Sequence, residues 1–351
     1  MKERLLLIAA SAAAGLISII LVQHGNPANM GFCTACFLRD IAGGLGLHRE
    51  AALQYLRPEI MGLVLGSLGA AVCFRNYKSR GSSNAILRFF LGAFMMAGAL
   101  IFLGCPLRML LRLGGGDLNA LIALPGYVFG IWIGTLFLRK GYTLGNTQGQ
   151  PAVSGGAGPA FFIMLLIFVV ASPAFIFFST EGSGAMRAAL PLALGAGLLI
   201  GFLFQRTKFC TVGAFRDLIL FKNYQRLMGI AALFVIVLAG NLLLGNFNLG
   251  FAGQPVAHTQ VVWSFLGMGI IGFAAVLAEG CPLRHLILVG EGNSDSMATV
   301  LGLVFGAAIM HNFKLAASPL GVPVAGQISV VIVWILLFVI AFSVTRTSNS
   351  N

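Results

Sequence analysis

Residues 31–40 read Gly-Phe-Cys-Thr-Ala-Cys-Phe-Leu-Arg-Asp, and residues 208–217 repeat this stretch as Lys-Phe-Cys-Thr-Val-Gly-Ala-Phe-Arg-Asp, an offset of 177. A second motif, Gly-Cys-Pro-Leu-Arg, occupies residues 104–108 and returns unchanged at residues 280–284, an offset of 176. Two motifs that recur with nearly the same period predict a duplicated structural unit. Because both copies keep a cysteine and an arginine, we expect the functional site to lie between the two halves.

The composition is that of an integral membrane protein. Hydrophobic residues make up 58% of the chain and charged residues 9%, whereas soluble domains contain roughly 25% charged residues. The net charge of +12 does not indicate nucleic-acid binding, because the basic residues lie in short clusters between apolar runs. That pattern is typical of the loops of a membrane protein.

The apolar runs predict an all-α polytopic fold with about ten transmembrane helices, each long enough to cross a bilayer. The predicted spans are Leu5–Val22, Glu59–Phe74, Ala85–Leu103, Asn119–Leu138, Pro159–Phe178, Ala188–Phe204, Leu227–Leu244, Val261–Leu277, Met297–Phe313 and Ile328–Val344. Four motif segments between them are too short or too charged to cross, so they predict re-entrant half-helices: Met30–Leu47, Cys105–Leu113, Phe209–Phe221 and Cys281–Val289.

The distribution of basic residues predicts the orientation. If the amino terminus is cytoplasmic, thirteen Lys and Arg outside the motif segments fall on the cytoplasmic side, and four fall on the other: Arg49, Arg57, Arg187 and Lys314. Both termini are therefore predicted to be cytoplasmic, in the inner (plasma) membrane. The first apolar run is read as a retained span, because its counterpart one period later is an internal helix.

The same count predicts an inverted repeat. Four spans precede one connecting span, so the second unit starts from the opposite face of the membrane. We expect a first repeat at 1–140 and a cytoplasmic linker with a connecting helix at 141–180. Residues 141–158 of this linker are rich in Gly, Gln, Ser and Pro, which predicts a mobile cytoplasmic loop. A second, inverted repeat at 181–315 and a final helix with a cytoplasmic tail at 316–351 complete the prediction.

The Gly-Cys-Pro-Leu-Arg motif predicts an anion site. Proline favours the first position of a helix, which makes Cys105 and Cys281 the caps of short helices. A helix start offers free N–H groups and partial positive charge. Arg108 and Arg284 lie in the first turn of the same helices, and their recurrence makes them candidates for substrate binding.

The first motif places Cys33 and Cys210 near the start of a half-helix, with an Arg-Asp pair about two turns later. Arg39 and Arg216 are candidates for substrate binding. The alternative is structural: each Arg-Asp pair would clamp its half-helix to another segment.

Glu279 and His285 are two further candidates. Glu279 directly precedes the second Gly-Cys motif, where the first repeat has Leu103. A carboxyl deep in a span is a functional candidate, for example in proton coupling, and a salt bridge to Arg284 or another motif arginine is the alternative. His285 corresponds to Met109, and its position allows a role in the site.

Thiols, helix amino termini and arginines together favour one ligand class. Hard cations need carboxylates, which are scarce here, and positive charge would repel a soft metal, so we predict no metal and no cofactor. The best match is a small sulfur- or selenium-containing anion, such as thiosulfate or a selenium analogue, which weak S–H donors can hold and release. No nucleotide-binding motif is present.

These motifs together resemble the YeeE/YedE family of sulfur-transport membrane proteins over nearly the whole chain. The Gly-Cys-Pro-Leu-Arg form, followed by Gly-Glu-Gly-Asn-Ser-Asp at residues 290–295, resembles the YedE-related branch associated with selenium metabolism. The resemblance implies a transporter rather than an enzyme, in which a sulfur oxyanion passes between membrane-embedded cysteines. The candidates here are Cys33, Cys105, Cys210 and Cys281.

Two other hypotheses remain. Cys33 and Cys36 form a Cys-x-x-Cys sequence after the first span, which is typical of membrane thiol-disulfide oxidoreductases. The second copy argues against this reading, because Gly213 replaces the second cysteine. Alternatively, the transporter would hand its substrate to a small cytoplasmic sulfur or selenium carrier protein that docks near residues 206–226.

Overall fold

The computed structural model describes the backbone of residues 2–350 and the side chains of residues 2–346. The first residue of the predicted segment 1–140 and the last residue of the predicted segment 316–351 therefore lie outside the described residues. This part of the chain is helical apart from one short pair of strands, β1 (Arg80–Gly81) and β2 (Gln148–Gly149). The helices are α1 (Lys2–Gln23), α2 (Thr34–Gly44), α3 (Pro58–Cys73), α4 (Ala85–Phe102), α5 (Pro106–Gly114), α6 (Leu118–Arg139), α7 (Ala152–Ala171), α8 (Gly182–Ala185), α9 (Leu190–Thr207), α10 (Thr211–Phe221), α11 (Gln225–Leu243), α12 (Val261–Leu277), α13 (Pro282–Gly290), α14 (Ser294–Asn312) and α15 (Val324–Ser350), with a 3-10 turn at Ala51–Leu53.

The predicted all-α fold with about ten candidate membrane spans is confirmed. Ten helical stretches of the described chain are long and apolar enough to cross a membrane. The four motif segments form α2 and α10, of 11 residues each, and α5 and α13, of nine residues each. A nine-residue helix is about 13.5 Å long at 1.5 Å per residue, roughly half of a 30 Å hydrocarbon core. These segments are therefore half-helices.

Both ends of the fifth span lie earlier in the chain than the sequence predicts. The fifth span was predicted at Pro159–Phe178, but α7 covers Ala152–Ala171. Its glycine-rich start was read as part of a loop. The helix forms there because Gly155 packs closely, so that a β-carbon would come within 3 Å of the carbonyl oxygen of Gly292 and the hydroxyl of Ser79.

The linker at 141–158 was predicted to be a mobile loop, and this prediction was wrong. Its middle forms β2, which pairs with β1 in antiparallel register, and its end is the first part of α7. The side chain of Gln150 also accepts a hydrogen bond from the hydroxyl of Ser294, at 2.7 Å. The linker is thus attached to the start of α14.

Helix contacts follow the duplication. At the period of the motifs, α1, α3, α4 and α6 correspond to α9, α11, α12 and α14. The largest helix contacts are α3 with α9 and α6 with α12, and their counterparts α1 with α11 and α4 with α14 are also extensive. Every one of these pairs joins a helix of the first predicted repeat to one of the second, so the two halves pack together over most of their length.

Glycines allow these helices to approach closely. Along α6, Gly126, Gly130 and Gly134 lie against Phe265, Gly269 and Val276 of α12 in turn, so the two helices run parallel. A β-carbon on Gly130 would overlap the carbonyl oxygen of Gly269. Small residues at such contacts are what holds helices together where lipid removes the hydrophobic driving force.

We expect Gly130→Ala to destabilise the fold by about 1–3 kcal/mol, because the new methyl group must push α6 and α12 apart. The matched control is Gly195→Ala on the exposed face of α9, where a β-carbon meets no atom within 4 Å. The control is expected to be neutral or stabilising by up to about 1 kcal/mol, because alanine favours helix. Thermal unfolding of the purified protein in detergent measures both. Equal melting temperatures would contradict the close packing.

Candidate functional site: two buried thiol pairs

The four predicted cysteines lie in two pairs. The sulfur of Cys33 is 3.7 Å from that of Cys105, and the sulfur of Cys210 is 3.8 Å from that of Cys281. All four side chains are buried, and the thiols are free. Each pair joins the starts of two half-helices, α2 with α5 and α10 with α13. The duplication therefore builds the same thiol pair twice.

The two cysteines of a pair have different local roles. Cys33 and Cys210 cap α2 and α10: each sulfur accepts a hydrogen bond from a backbone N–H three residues on, at 3.3 and 3.4 Å. Cys105 and Cys281 also stand at the N-cap, but with proline at the next position and no capping bond from the side chain. Their thiols lie against the capping thiols instead. Two helix starts, both with partial positive charge, thus meet at each sulfur pair.

The Arg-Asp pairs act as clamps, as the structural alternative predicts. The carboxylate of Asp40 is 2.7 Å from both Arg39 and Arg57, and all three side chains are buried. Arg57 also donates to the backbone carbonyls of Ser183 and Met186, at 2.6 and 3.0 Å. These bonds tie α2 to the segment before α9. A buried carboxylate with two arginines is well compensated.

The second clamp is more open. Asp217 contacts Arg216 at 3.1 Å and Arg226 at 3.0 Å, and both arginines retain about a third of their exposure or slightly less, 27% and 34%. Gly213 makes room for Arg226, since a β-carbon there would lie 2.6 Å from the Arg226 guanidinium. The second copy thus has Gly213 where the first has Cys36, and a side chain at this position would collide with Arg226.

Arg108 and Arg284, equivalent in sequence, have different surroundings. Arg108 is fully buried and donates to the carbonyls of Leu103, Asn29 and Val256, the last two at 3.2 Å. Its guanidinium also approaches the sulfur of Cys36 at 3.6 Å. Arg284 instead has a carboxylate partner, Glu291, at 3.3 Å. Arg108 therefore supports broken backbone, and Arg284 remains the better candidate for a ligand.

The breaks between α4 and α5 and between α12 and α13 need such support. Leu103 and Glu279, at equivalent positions, both adopt left-handed backbone, with φ of 61° and 68°. The preceding carbonyls, which also correspond, each accept a hydrogen bond from an arginine. Arg112 donates to Phe102 at 2.7 Å, and Arg88 donates to Ala278 at 3.1 Å.

Glu279 is not where the sequence placed it. Its side chain is 53% exposed, and it forms an ion pair with Arg88 at 2.7 Å, not with Arg284 or another motif arginine. The left-handed turn after α12 points the carboxylate out of the packed interior. His285 is buried. Its Nδ1 lies 3.2 Å from the hydroxyl of Ser296, and its Nε2 has no hydrogen-bond partner.

Sequence reasoning missed three buried side chains. Arg57 completes the first clamp, Tyr127 of α6 lies 3.0 Å from the hydroxyl of Thr211 beside Cys210, and His258 donates from Nε2 to the carbonyl of Ile101 at 2.7 Å. Burial lowers the pKa of His258, which keeps it neutral and able to accept at Nδ1 from the N–H of Gln260. The one sequence signal for these residues was a polar side chain among apolar neighbours, and that signal does not identify the group that the side chain contacts.

The structure also bears on thiol-disulfide chemistry and on metal binding, the two other kinds of site that the sequence analysis considered. Cys33 has its sulfur contact with Cys105 on another half-helix, and the shared feature of both repeats is this pair rather than Cys-x-x-Cys. Among the residues that the structure describes, no group of three or more His, Cys, Asp or Glu is placed to hold a metal ion.

Two cavities reach the motifs. The basic cavity, of about 750 Å³, is lined by three acidic residues, Glu3, Asp217 and Glu291, and by six basic ones, Lys78, Arg80, Arg206, Lys208, Arg226 and Arg284. The other, which we call the Arg39 cavity, has about 820 Å³ and includes Arg39, Leu103, His311 and Lys314 among many apolar residues. One cavity thus contains motif residues of the second copy, and the other contains those of the first.

Comparison with known proteins finds similarity to sulphur-transport proteins. Residues 206–347 match the protein family described as sulphur transport. This region contains both motifs of the second copy, and the first half carries the same motifs. Residues 206–347 are therefore similar to the YeeE/YedE sulphur-transport family.

Two curated relatives give more detail. A protein named thiosulfate transporter TsuA from Spirochaeta thermophila is 34% identical over 116 residues, which is 32% of this chain and 34% of the relative. The protein of the same name from Escherichia coli is 28% identical over 116 residues, 33% of this chain and 32% of the relative. The matched stretch spans about a third of the length of these relatives.

The two clamps give a matched pair of stability predictions. Asp40→Asn leaves two buried arginines without a counter-charge, so we expect it to cost about 3–5 kcal/mol. Asp217→Asn removes the same charge from a partly exposed site, and screening limits its cost to about 1 kcal/mol or less. Melting temperatures in detergent compare the two. A loss for Asp217→Asn as large as that for Asp40→Asn would contradict the proposed difference in burial.

Proposed function

We propose that this protein transports a small sulfur-containing anion across the inner membrane, with thiosulfate as the first candidate. The observation that carries the proposal is the duplicated thiol pair, buried at the meeting point of two half-helix starts in each repeat. The relatives named thiosulfate transporters support the choice of substrate. The family supports transport rather than catalysis.

The chemistry of the thiols suits this substrate. A thiol is a weak hydrogen-bond donor, and its polarisable sulfur suits a soft terminal sulfur or selenium atom. The helix starts and nearby arginines favour the negative charge of the anion. In our proposal the anion passes from one thiol pair to the other through S–H hydrogen bonds, with no covalent step. Weak contacts of this kind allow rapid release, which conduction requires.

The proposed path needs an inverted repeat. Four spans of the first repeat and the connecting helix α7 precede α9, an odd number, so α1 and α9 cross in opposite directions. The basic cavity would then face the cytoplasm, together with both termini, and the Arg39 cavity would face outward. The excess of basic residues on the proposed cytoplasmic side supports this orientation.

Two finer elements belong to the same proposal. A selenium analogue is the alternative substrate, because residues 280–295 resemble the selenium-associated branch and because selenium shares the soft character of sulfur. A small cytoplasmic carrier protein would accept the substrate near residues 206–226. The five basic residues of this stretch, Arg206, Lys208, Arg216, Lys222 and Arg226, would favour an acidic partner surface.

Transport by the thiols is tested by replacing one from each pair. We expect Cys105→Ala and Cys281→Ala each to lower thiosulfate uptake into proteoliposomes at least about tenfold, because a hydrogen bond to a charged group contributes roughly 1.5–3 kcal/mol. The control is Cys73→Ala, at the exposed carboxyl end of α3, which should retain wild-type uptake.

The same assay separates the substrates when sulfite, selenite and selenide compete with labelled thiosulfate. Strong competition by selenium compounds alone would favour the selenium reading. Unchanged uptake of every compound in both Cys105→Ala and Cys281→Ala would rule out the proposed path.

The orientation is tested by labelling single cysteines in a Cys73→Ala background. Lys222 and Lys314 are both exposed and lie on opposite faces in the proposed topology. An impermeant maleimide should label Lys314→Cys in intact cells and Lys222→Cys only in inverted vesicles. Labelling of both from the same side would disprove the inverted repeat.

A further inference from the structure

The basic cavity contains a carboxylate between two arginines. Glu291 ends α13, and its two oxygens contact different partners: Oε1 lies 3.3 Å from Arg284, and Oε2 lies 3.1 Å from Arg80. The Glu291 side chain is only 9% exposed. Arg284 is the motif arginine, three residues after Cys281. The carboxylate thus bridges two arginines of the cavity lining, one of which belongs to the second Gly-Cys-Pro-Leu-Arg motif.

The Arg284 side of this contact is weak. The Arg284 side chain is only 14% exposed. Its Nη1 group nevertheless makes no hydrogen bond, because it is not aligned with the Glu291 carboxylate. Arg108, its counterpart, is saturated by backbone carbonyls. The first repeat has Gly115 where the second has Glu291, so no equivalent carboxylate competes there.

Backbone hydrogen bonds hold Arg80 near Glu291. The N–H of Arg80 donates to the carbonyl of Gly292 at 3.1 Å, and the N–H of Lys78 donates to the carbonyl of Glu291 at 3.0 Å. Ser294 also contacts the carbonyl of Arg80 at 3.3 Å. The backbone of Arg80 is therefore held beside the segment that carries Glu291.

We propose that Glu291 occupies an oxyanion-binding site and is displaced by the transported anion. This inference rests on the proposed function, and it names the place where the anion binds on the cytoplasmic side. One carboxylate compensates the charges of two arginines incompletely, and a tetrahedral dianion would supply two negative charges and several acceptor oxygens. Six basic residues against three acidic ones attract such an anion into the cavity.

The proposal assigns separate tasks to the two parts of the site. The arginines recognise the oxyanion and do not distinguish thiosulfate from sulfate. The thiol pair beyond them selects the soft sulfur atom. Glu291 keeps the arginines compensated when no anion is bound, and it competes with the anion so that the site does not retain it.

The test is anion binding to the purified protein in detergent, measured by calorimetry with thiosulfate and with sulfate at constant ionic strength. We expect Glu291→Gln to lower the dissociation constant of both anions about two- to fivefold, because its ion pair with Arg80, whose side chain is 34% exposed, contributes up to roughly 1 kcal/mol and no longer competes. Arg284→Gln should weaken binding of both anions.

The matched control is Glu3→Gln, which removes the same charge from the lining of the same cavity. Glu3 forms no ion pair with Arg284 or Arg80, so its removal should leave both dissociation constants close to those of the wild type. Affinities in Glu291→Gln that equal those of the wild type, or a gain in Glu3→Gln of the same size, would overturn the proposal.

A second variant covers the case in which Glu291→Gln does not fold. Arg80→Gln keeps Arg284 and Glu291 together but removes half of the site, so both anions should bind more weakly. Unchanged affinity would overturn the proposal. Uptake of thiosulfate is measured separately: anion binding that responds to Glu291 without uptake would contradict the proposed function alone, and uptake with no response to Glu291 would contradict this inference alone.

Discussion

The structure depends on one constraint, which is that a helix broken inside a membrane exposes backbone groups that no water can satisfy. Each Gly-Cys-Pro break leaves carbonyls at the end of one helix and N–H groups at the start of the next. In both repeats, the carbonyl before the left-handed residue accepts from an arginine, and a cysteine caps the half-helix of the other motif. The arginines of this chain are therefore largely committed to backbone and carboxylates before any ligand arrives.

This constraint explains why cysteine stands at the N-cap, a position where serine, threonine, asparagine and aspartate are usually preferred. A thiol accepts one N–H weakly, so it satisfies the backbone while its S–H group remains available to a neighbour. In each repeat that neighbour is the cysteine of the next half-helix, less than 4 Å away. A carboxylate at the same place would hold the N–H groups more strongly, and it would repel an anion. The same atoms thus serve both the fold and the proposed path.

The sequence predicted the parts of this arrangement that are local or repeated. Ten spans follow from apolar length, and the helix starts at Cys105 and Cys281 follow from the proline after each cysteine. The pairing of side chains was harder to predict. Arg88 reaches the carbonyl of Ala278 across 190 residues of chain, and no pattern near either residue announces the contact. For the same reason, the sequence analysis proposed the wrong partner for Glu279, which pairs with Arg88, and did not predict that Arg57 pairs with Asp40.

The linker shows a related limit. Glycine and serine at 141–158 read as loop, because composition reports intrinsic preference and not the neighbours that a segment meets. In the folded chain, β2 pairs with β1 and α7 begins within the segment. Glycine disfavours an isolated helix by about 1 kcal/mol per residue, but it also allows close packing, which at Gly155 outweighs the local preference.

The two copies of the repeat have diverged in their arginines, which explains why the two ends of the proposed path differ. Gene duplication gives both halves the same backbone breaks and the same thiols, but the arginine that supports each break comes from a different place: from α5 itself in the first copy, and from α4 in the second. Because Arg88 supports the second break from the other repeat, α13 needs no second arginine, and Leu288 stands where α5 has Arg112. Arg284 is correspondingly released from backbone support, whereas Arg108 is not. A symmetric site would hold an anion equally at both ends, and the divergence of the arginines leaves Arg284, but not Arg108, with an N–H group that no backbone carbonyl occupies.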